Sequence, residues 1–418
     1  MKKVVVSGMI GNGLEWYDYA LYGQLAWLLS KKFFPESEGA AQLLLTFSVF
    51  AAGFLVRPLG AVFFGWLGDK YGRKFAMVVA ILMMAIPTGL IGVLPTYEQI
   101  GILAPIALTL IRLLQGISLG GEFSGSITYI VEHAPPHKRG LAGSASLVSL
   151  MLGFMLGIVV VRGFMWYFGE QAFEEFWWRI PFILGIVIGF VGFYIRHHCD
   201  ESPVYEEAKK ENTLSPTPVR EAFKKHPWEM LQGLGAYITV TMPFYLTTIF
   251  FITFMKQHLG TSAEDALEIT FLNMIAMLIM IPISAYASDY IGRRRIMMGA
   301  AFAMLVSVHF LFSVFIPGQD VATLAIAQFL FCLILGTYMG PVAAMLVELF
   351  PTSVRFSGMA ISYNAAAAIF GGSAPLVCEW LIATTGDDTS IAWYVMLCNV
   401  VSLVALWFYK DRYKEALR

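Results

Sequence analysis

Three acids and two bases sit inside long apolar runs of this chain. Glu15 and Asp18 fall in the run 5–29, Arg57 in 42–68, and Arg112 and Glu122 in 100–130. A charged side chain at mid-bilayer costs about 2.5–3.5 kcal/mol even on the lenient insertion scale, so such groups need partners and mark a pathway. A helix rises about 1.5 Å per residue; counted from the nearest charged turn, Glu15, Arg57 and Glu122 lie at roughly 15–18 Å, near the bilayer middle. Asp18 is one turn further out, and Arg112 lies two or three turns beyond Glu122. Two chemistries suit this set. The arginines can hold a charged or zwitterionic solute, and three carboxyls against two guanidiniums leave one acid to carry a proton, because desolvation favours the neutral carboxyl. Glu15 and Asp18, a turn apart on one face, do not both ionise cheaply, so one of them is the expected proton carrier, with Glu122 paired to an arginine. The competing reading is an ion network that only locks helices together.

These side chains need membrane helices to carry them. Of 418 residues, 58% are hydrophobic and 14% charged, too few charges to cover a water-soluble protein of this size. The apolar runs are too long for barrel strands and long enough for helices. Twelve spans are expected, near 5–29, 42–68, 75–95, 100–130, 141–166, 178–196, 229–256, 266–288, 296–316, 321–348, 356–383 and 390–409. The stretch 197–228 is charged and punctuated by proline, a solvated linker with a surface helix near Val204–Glu211. It divides an N-terminal half, 1–196, from a C-terminal half, 229–418. With both termini inside, 21 Lys and Arg residues face the cytoplasm and three (Lys31, Lys32, Lys256) face outward.

Two repeats mark a duplication. Gly65-Trp66-Leu67-Gly68-Asp69-Lys70-Tyr71-Gly72-Arg73-Lys74 returns 220 residues later as Ala285-Tyr286-Ala287-Ser288-Asp289-Tyr290-Ile291-Gly292-Arg293-Arg294. Glu132, Pro135 and Arg139 return at an offset of 216 as Glu348, Pro351 and Arg355. Proline stops each helix, and the arginine seven residues after each glutamate can fold back on it. Parallel six-helix halves fit a rocker-type secondary transporter.

The C-terminal half has almost no buried charge. Tyr245, Tyr338, Tyr363 and Asn364 are its candidate contacts for the bulkier end of a solute, ring faces suiting a quaternary ammonium. Four cysteines lack metal-ligand spacing, and no glycine cluster sits in a phosphate-binding turn. No enzyme constellation, metal, cofactor or nucleic-acid partner is therefore expected.

The chain resembles a major facilitator superfamily transporter in its loop repeats. It further resembles the metabolite:proton symporter group in Gly13-Leu14-Glu15-Trp16-Tyr17-Asp18, Arg57-Pro58-Leu59-Gly60, Arg112-Leu113-Leu114-Gln115-Gly116, Gly120-Gly121-Glu122, Trp178-Arg179-Ile180-Pro181 and Phe350-Pro351-Thr352-Ser353-Val354-Arg355 with Tyr363-Asn364. The likeness is greatest to proline/glycine betaine carriers. It implies an all-α fold of two pseudo-symmetric six-helix halves in a bacterial inner membrane, functional as a monomer. It also implies a gate in which Asp69 and Asp289 cap the eleventh and fifth helices, supported by Arg73, Glu132, Arg139, Arg293, Glu348 and Arg355. Osmosensing members carry a long C-terminal coiled coil; nine residues follow Tyr409 here, without heptads, so osmotic sensing by that route is in doubt. The function expected is proton-coupled import of a small polar metabolite, either a zwitterion such as proline or betaine or an organic acid such as a dicarboxylate. An exporter of the same fold, or a membrane sensor that moves nothing, are the alternatives.

Overall fold

The computed structural model describes residues 2–34, 49 and 52–417, and the described residues form helices and turns without strands. The sequence-expected start of the second span, 42–51, lies largely outside them. We number the long helices α1 (Lys2–Gln24, continued by Ala26–Phe33), α2 (Arg57–Tyr71), α3 (Arg73–Val93), α4 (Leu103–His133), α5 (Arg139–Phe168) and α6 (Arg179–His197). The second set is α7 (Pro227–Tyr245, a π-helical turn Leu246–Phe250, then Phe251–Gln257), α8 (Ala263–Ile291), α9 (Arg293–Phe312) and α10 (Val321–Leu349). It ends with α11 (Arg355–Ala366, a π-helical turn Ala367–Gly371, then Ala374–Thr385) and α12 (Ser390–Trp407).

Among the described residues ten helices, α3 to α12, are long and apolar enough to cross a membrane. The helix α1 has the length but carries Asn12, Glu15 and Asp18 among its apolar residues, and only 15 residues of α2 form its described helix. The linker holds two short helices, Pro203–Lys210 and Pro218–Lys225.

Contacts divide the chain into two compact units: residues 1–133, 149–219 and 352–360, and residues 134–148, 220–351 and 361–418. The first turns of α11 thus pack with the first unit, and those of α5 with the second. Inside each unit the helices pair in the same pattern. In the first, α4 packs on α1, α2 and α3, and α6 on α1 and α3; in the second, α10 packs on α7, α8 and α9, and α12 on α7 and α9. Glycines set the closest approaches. A side chain at Gly60 would run into the backbone of Ile117, and one at Gly120 into that of Gly60 and Ala61. That crossing brings Arg57 of α2 beside the polar face of α4.

Candidate functional site

The first unit gathers all five charged residues, each buried. Arg112 donates to Asp18 at 2.5 Å and to Gln115 Oε1 at 2.7 Å. The Gln115 amide donates in turn to the other Asp18 oxygen and to Thr88, both at 2.9 Å. The guanidinium also lies over the ring of Tyr22, 4.1 Å from its centre. Asp18 is therefore bonded through both oxygens.

Glu122 pairs with Arg196 of α6, not with Arg57 or Arg112. The same guanidinium donates to the carbonyls of Ser7 (3.0 Å) and Met77 (2.6 Å). A side chain at Gly11 would collide with this pair, so glycine there leaves the room it needs. The charge inventory is corrected accordingly: three bases, not two, face three acids. Arg196 looks like a span-end arginine in sequence, where the long side chain ordinarily reaches out to water; here it turns inward and is 1% exposed.

Glu15 stands apart. It is wholly buried, its only ion pair among the described residues is with Arg57 at 3.9 Å, and neither carboxylate oxygen accepts a hydrogen bond. Arg57 also lies 5.5 Å from the ring centre of Phe54. Arg179, from the Trp178-Arg179 motif, donates to the carbonyls of Gly92 and Leu94 and so closes the end of α3.

In the second unit the four candidate polar residues are all buried. The Tyr338 hydroxyl is engaged by the carbonyl of Ala236, 2.6 Å away, which ties α10 to α7. Tyr363 meets the ring of Tyr237 edge to face at 5.1 Å. Tyr245 packs beside Gly371, where any side chain would run into its ring. Asn364 lies on α11 next to Tyr363 and is fully buried.

The duplicated turns form two helix-capping clusters. In the first unit Asp69 accepts from the backbone N–H of Phe356 (3.1 Å) and Ser357 (2.8 Å), the opening turn of α11. In the second, Asp289 accepts from Gly140 (2.8 Å) and Leu141 (3.0 Å), the opening turn of α5. A carboxylate there meets unpaired N–H groups and the positive end of the helix dipole. Gly65 and Gly68 allow the approach: a side chain at either would press on Ser357 or Phe356. Gly72 and Gly292, with φ of 112° and 105°, turn the chain into α3 and α9 in a region that other residues rarely adopt.

The surrounding pairs correct a local expectation. Arg355 folds onto Glu132 (2.6 Å), not onto Glu348 seven residues before it. Arg73 also reaches Glu132 (3.3 Å) as well as Asp69 (3.2 Å), and Arg293 reaches Glu348 (3.2 Å) and Asp289 (2.7 Å). Arg139 does not mirror Arg355; it donates to the backbone carbonyl of Glu415 at 2.7 Å. A local Glu–Arg pairing was expected from a spacing of seven, but the opening turn of α11 packs in the other unit and carries Arg355 away from Glu348.

The linker, to which the sequence assigned no chemistry, completes the first cluster. Glu201 accepts from the N–H of Arg73 (3.0 Å) and Lys74 (3.2 Å), Ser202 donates to Glu132, and the Tyr205 hydroxyl bonds the carbonyl of Lys70 at 3.0 Å. Burial holds the Glu201 carboxyl above its ordinary pKa, against the pull of these N–H groups and of Arg73. After α12, Asp411 plays the same part, accepting from the N–H of Arg294 at 2.9 Å.

Residues 4–227 match the family model described as sugar (and other) transporter, and residues 233–418 match that of the major facilitator superfamily. The chain is 33% identical over 416 residues to a proline/betaine transporter of Salmonella typhimurium, covering 97% of this chain and 82% of that one. The chain belongs to the major facilitator superfamily. It is an integral membrane transporter, not an enzyme. Another superfamily relative, the glycine betaine/proline/ectoine/pipecolic acid transporter of Dickeya dadantii, is 33% identical and spans all of this chain and 85% of its own length. Among solved structures, the proton:xylose symporter XylE bound to 6-bromo-6-deoxy-D-glucose aligns with a TM-score of 0.80 at 17% identity, covering 98% of this chain and 96% of that one.

Proposed function

We propose that this transporter imports a small zwitterion of the proline or betaine kind together with a proton. The observation that carries the reading is Glu15. A buried carboxylate with no hydrogen bonds is costly to keep ionised, whereas Asp18 and Glu122 each hold a close arginine. Protonating Glu15 removes the negative charge nearest Arg57, and that guanidinium then attracts the carboxylate of the incoming solute. Departure of the solute restores the attraction between Glu15 and Arg57 and expels the proton. Coupling follows because Arg57 serves one anion at a time.

The names of the curated relatives favour a zwitterion over a dicarboxylate. In this reading Asp69 and Asp289, with Arg73, Glu132, Arg139, Arg293, Glu348 and Arg355, form a gate at the cytoplasmic side. Both termini are cytoplasmic, and the monomer is the working unit in a bacterial inner membrane.

The test is uptake by purified protein in liposomes under an imposed pH gradient, with proline, glycine betaine, 2-oxoglutarate and citrate offered separately. Accumulation of proline or betaine, acid side to alkaline side, is the result expected. Accumulation of the organic acids alone, or no flux of any solute, overturns the reading.

A further inference from the structure

At the end of the second unit far from Asp289, one histidine stands between two carboxylates. His258 closes the last segment of α7, Phe251–Gln257. Its Nε2 faces Glu379 of α11 at 3.5 Å, and its Nδ1 faces Asp388, in the turn before α12, at 3.4 Å. A neutral imidazole has one N–H and one bare lone pair, so it can favour only one of two carboxylates and repels the other. The protonated ring donates to both. Each partner sits on a different ring nitrogen, so the arrangement suits an imidazolium and not a shared metal ion.

The groups around it leave this pairing undisturbed. Among the described residues Glu379 and Asp388 are the only carboxylates within ion-pair distance of His258. Lys256 on the same segment and Asp265 at the start of α8 make no ion pair with it, and Asp265 is bonded to Ser262. Asp387, next to Asp388, is taken up by the N–H and hydroxyl of Thr389 at 2.8 Å each. The stacked ring beside His258 is that of Phe254, which does not titrate.

The three residues join segments that share a weakness. Both α7 and α11 are interrupted by a π-helical turn, Leu246–Phe250 and Ala367–Gly371, and these turns pack on each other's helices around Tyr245 and Gly371. Such turns replace the regular hydrogen-bond ladder and commonly mark places where a helix bends. Beyond them, Phe251 and Phe254 pack on Phe312 and Phe315, and Gln328 donates to the sulfur of Met255; among the described residues the ion pairs that tie the end of α7 to α11 and to the turn before α12 are those of His258.

We propose that His258, Glu379 and Asp388 form a proton-operated clasp that fixes the far segments of α7 and α11 to the turn before α12. It is distinct from the buried carboxylate proposed to carry the transported proton. Acid on that side closes the clasp, and rising pH releases it by removing the ring proton that serves the second carboxylate. The clasp thereby makes the mobility of these two helices depend on the pH of the compartment they face.

Hydrogen exchange on the intact protein in lipid nanodiscs, corrected for the intrinsic pH dependence of exchange, reads the clasp without any substrate. Protection of 251–258 and of 382–389 should be roughly two- to tenfold higher at pH 5.5 than at pH 8 in the native chain. His258→Gln should show the low value at both pH values, and His258→Arg the high one. Glu379→Gln, at a half-exposed position, should reduce the pH response without abolishing it. Equal protection at both pH values in the native chain, or an unchanged response in His258→Gln, overturns the proposal.

Discussion

Glu15 and Asp18 are one helical turn apart, yet their surroundings differ in kind. Asp18 is held by Arg112 and Gln115, while Glu15 has only a guanidinium 3.9 Å away. Arg112 is bonded to Asp18 and Gln115, and Arg57 is the guanidinium beside Glu15, which makes Arg57 the candidate for exchanging that carboxylate for a substrate's. A fork of two parallel N–H bonds is not reproduced by an ammonium. Arg57→Lys should therefore weaken substrate binding roughly tenfold, about 1.4 kcal/mol, as read by equilibrium binding to the purified protein; unchanged affinity would mean that Arg57 only balances Glu15. Arg196 is predicted to act differently. Arg196→Gln strands the Glu122 carboxylate in the interior, and breaking a buried pair from one side costs about 3–5 kcal/mol. A Tm several degrees lower is expected, and a Tm equal to that of the native chain would contradict the geometry. The burial of Glu15, Asp18, Arg57, Arg112 and Glu122 was legible in the sequence because charge in an apolar run is conspicuous. That of Arg196 was not, since its place at a span end has an ordinary explanation; the unbalanced charge count was the signal that a third base was missing.

At the scale of elements, the two capping clusters are related by duplication but are not equal. The opening turn of α11 is held by Asp69, by Arg355 on Glu132, and by glycines that let it lie on α2. The opening turn of α5 has Asp289 and the bond of Arg139 to the carbonyl of Glu415. Losing the cap should therefore free α5 more than α11. With cysteine at position 141 or 357 as reporter, Asp289→Asn should speed thiol labelling at 141 more than Asp69→Asn does at 357. Cap losses of about 0.5–2 kcal/mol correspond to several-fold changes in rate. The reverse order would contradict the assignment of Arg355 as a second fastening. The turns themselves were legible because Asp, Gly and Arg recur at one offset. Their partners were not, because a spacing of seven between Glu and Arg suggests a local pair and only packing decides for a distant one. The linker was misjudged for a similar reason: Glu201, Ser202 and Tyr205 have the composition of a solvated segment, and they are buried by packing on the turn before α3 and on the end of α4.

Across the whole molecule, the helix pairing repeats from one unit to the other, while the chemistry does not. Outside the capping clusters, the first unit holds the buried ions Glu15, Asp18, Arg57, Arg112, Glu122 and Arg196, and the second offers rings, hydroxyls and amides. The repeat of turns and the number of apolar runs made the fold readable, although the π-helical turns of α7 and α11 have no sequence signature that periodicity detects. The functional division rests on Glu15, among the described residues the one buried carboxylate whose oxygens both lack a hydrogen bond. The most direct measurement of the central claim compares native and Glu15→Gln protein in liposomes, recording pH-driven accumulation and solute-for-solute exchange of the same zwitterion. The account predicts that Glu15→Gln abolishes accumulation and the proton uptake that accompanies it while exchange continues at near the native rate. Full uphill accumulation by Glu15→Gln would contradict it.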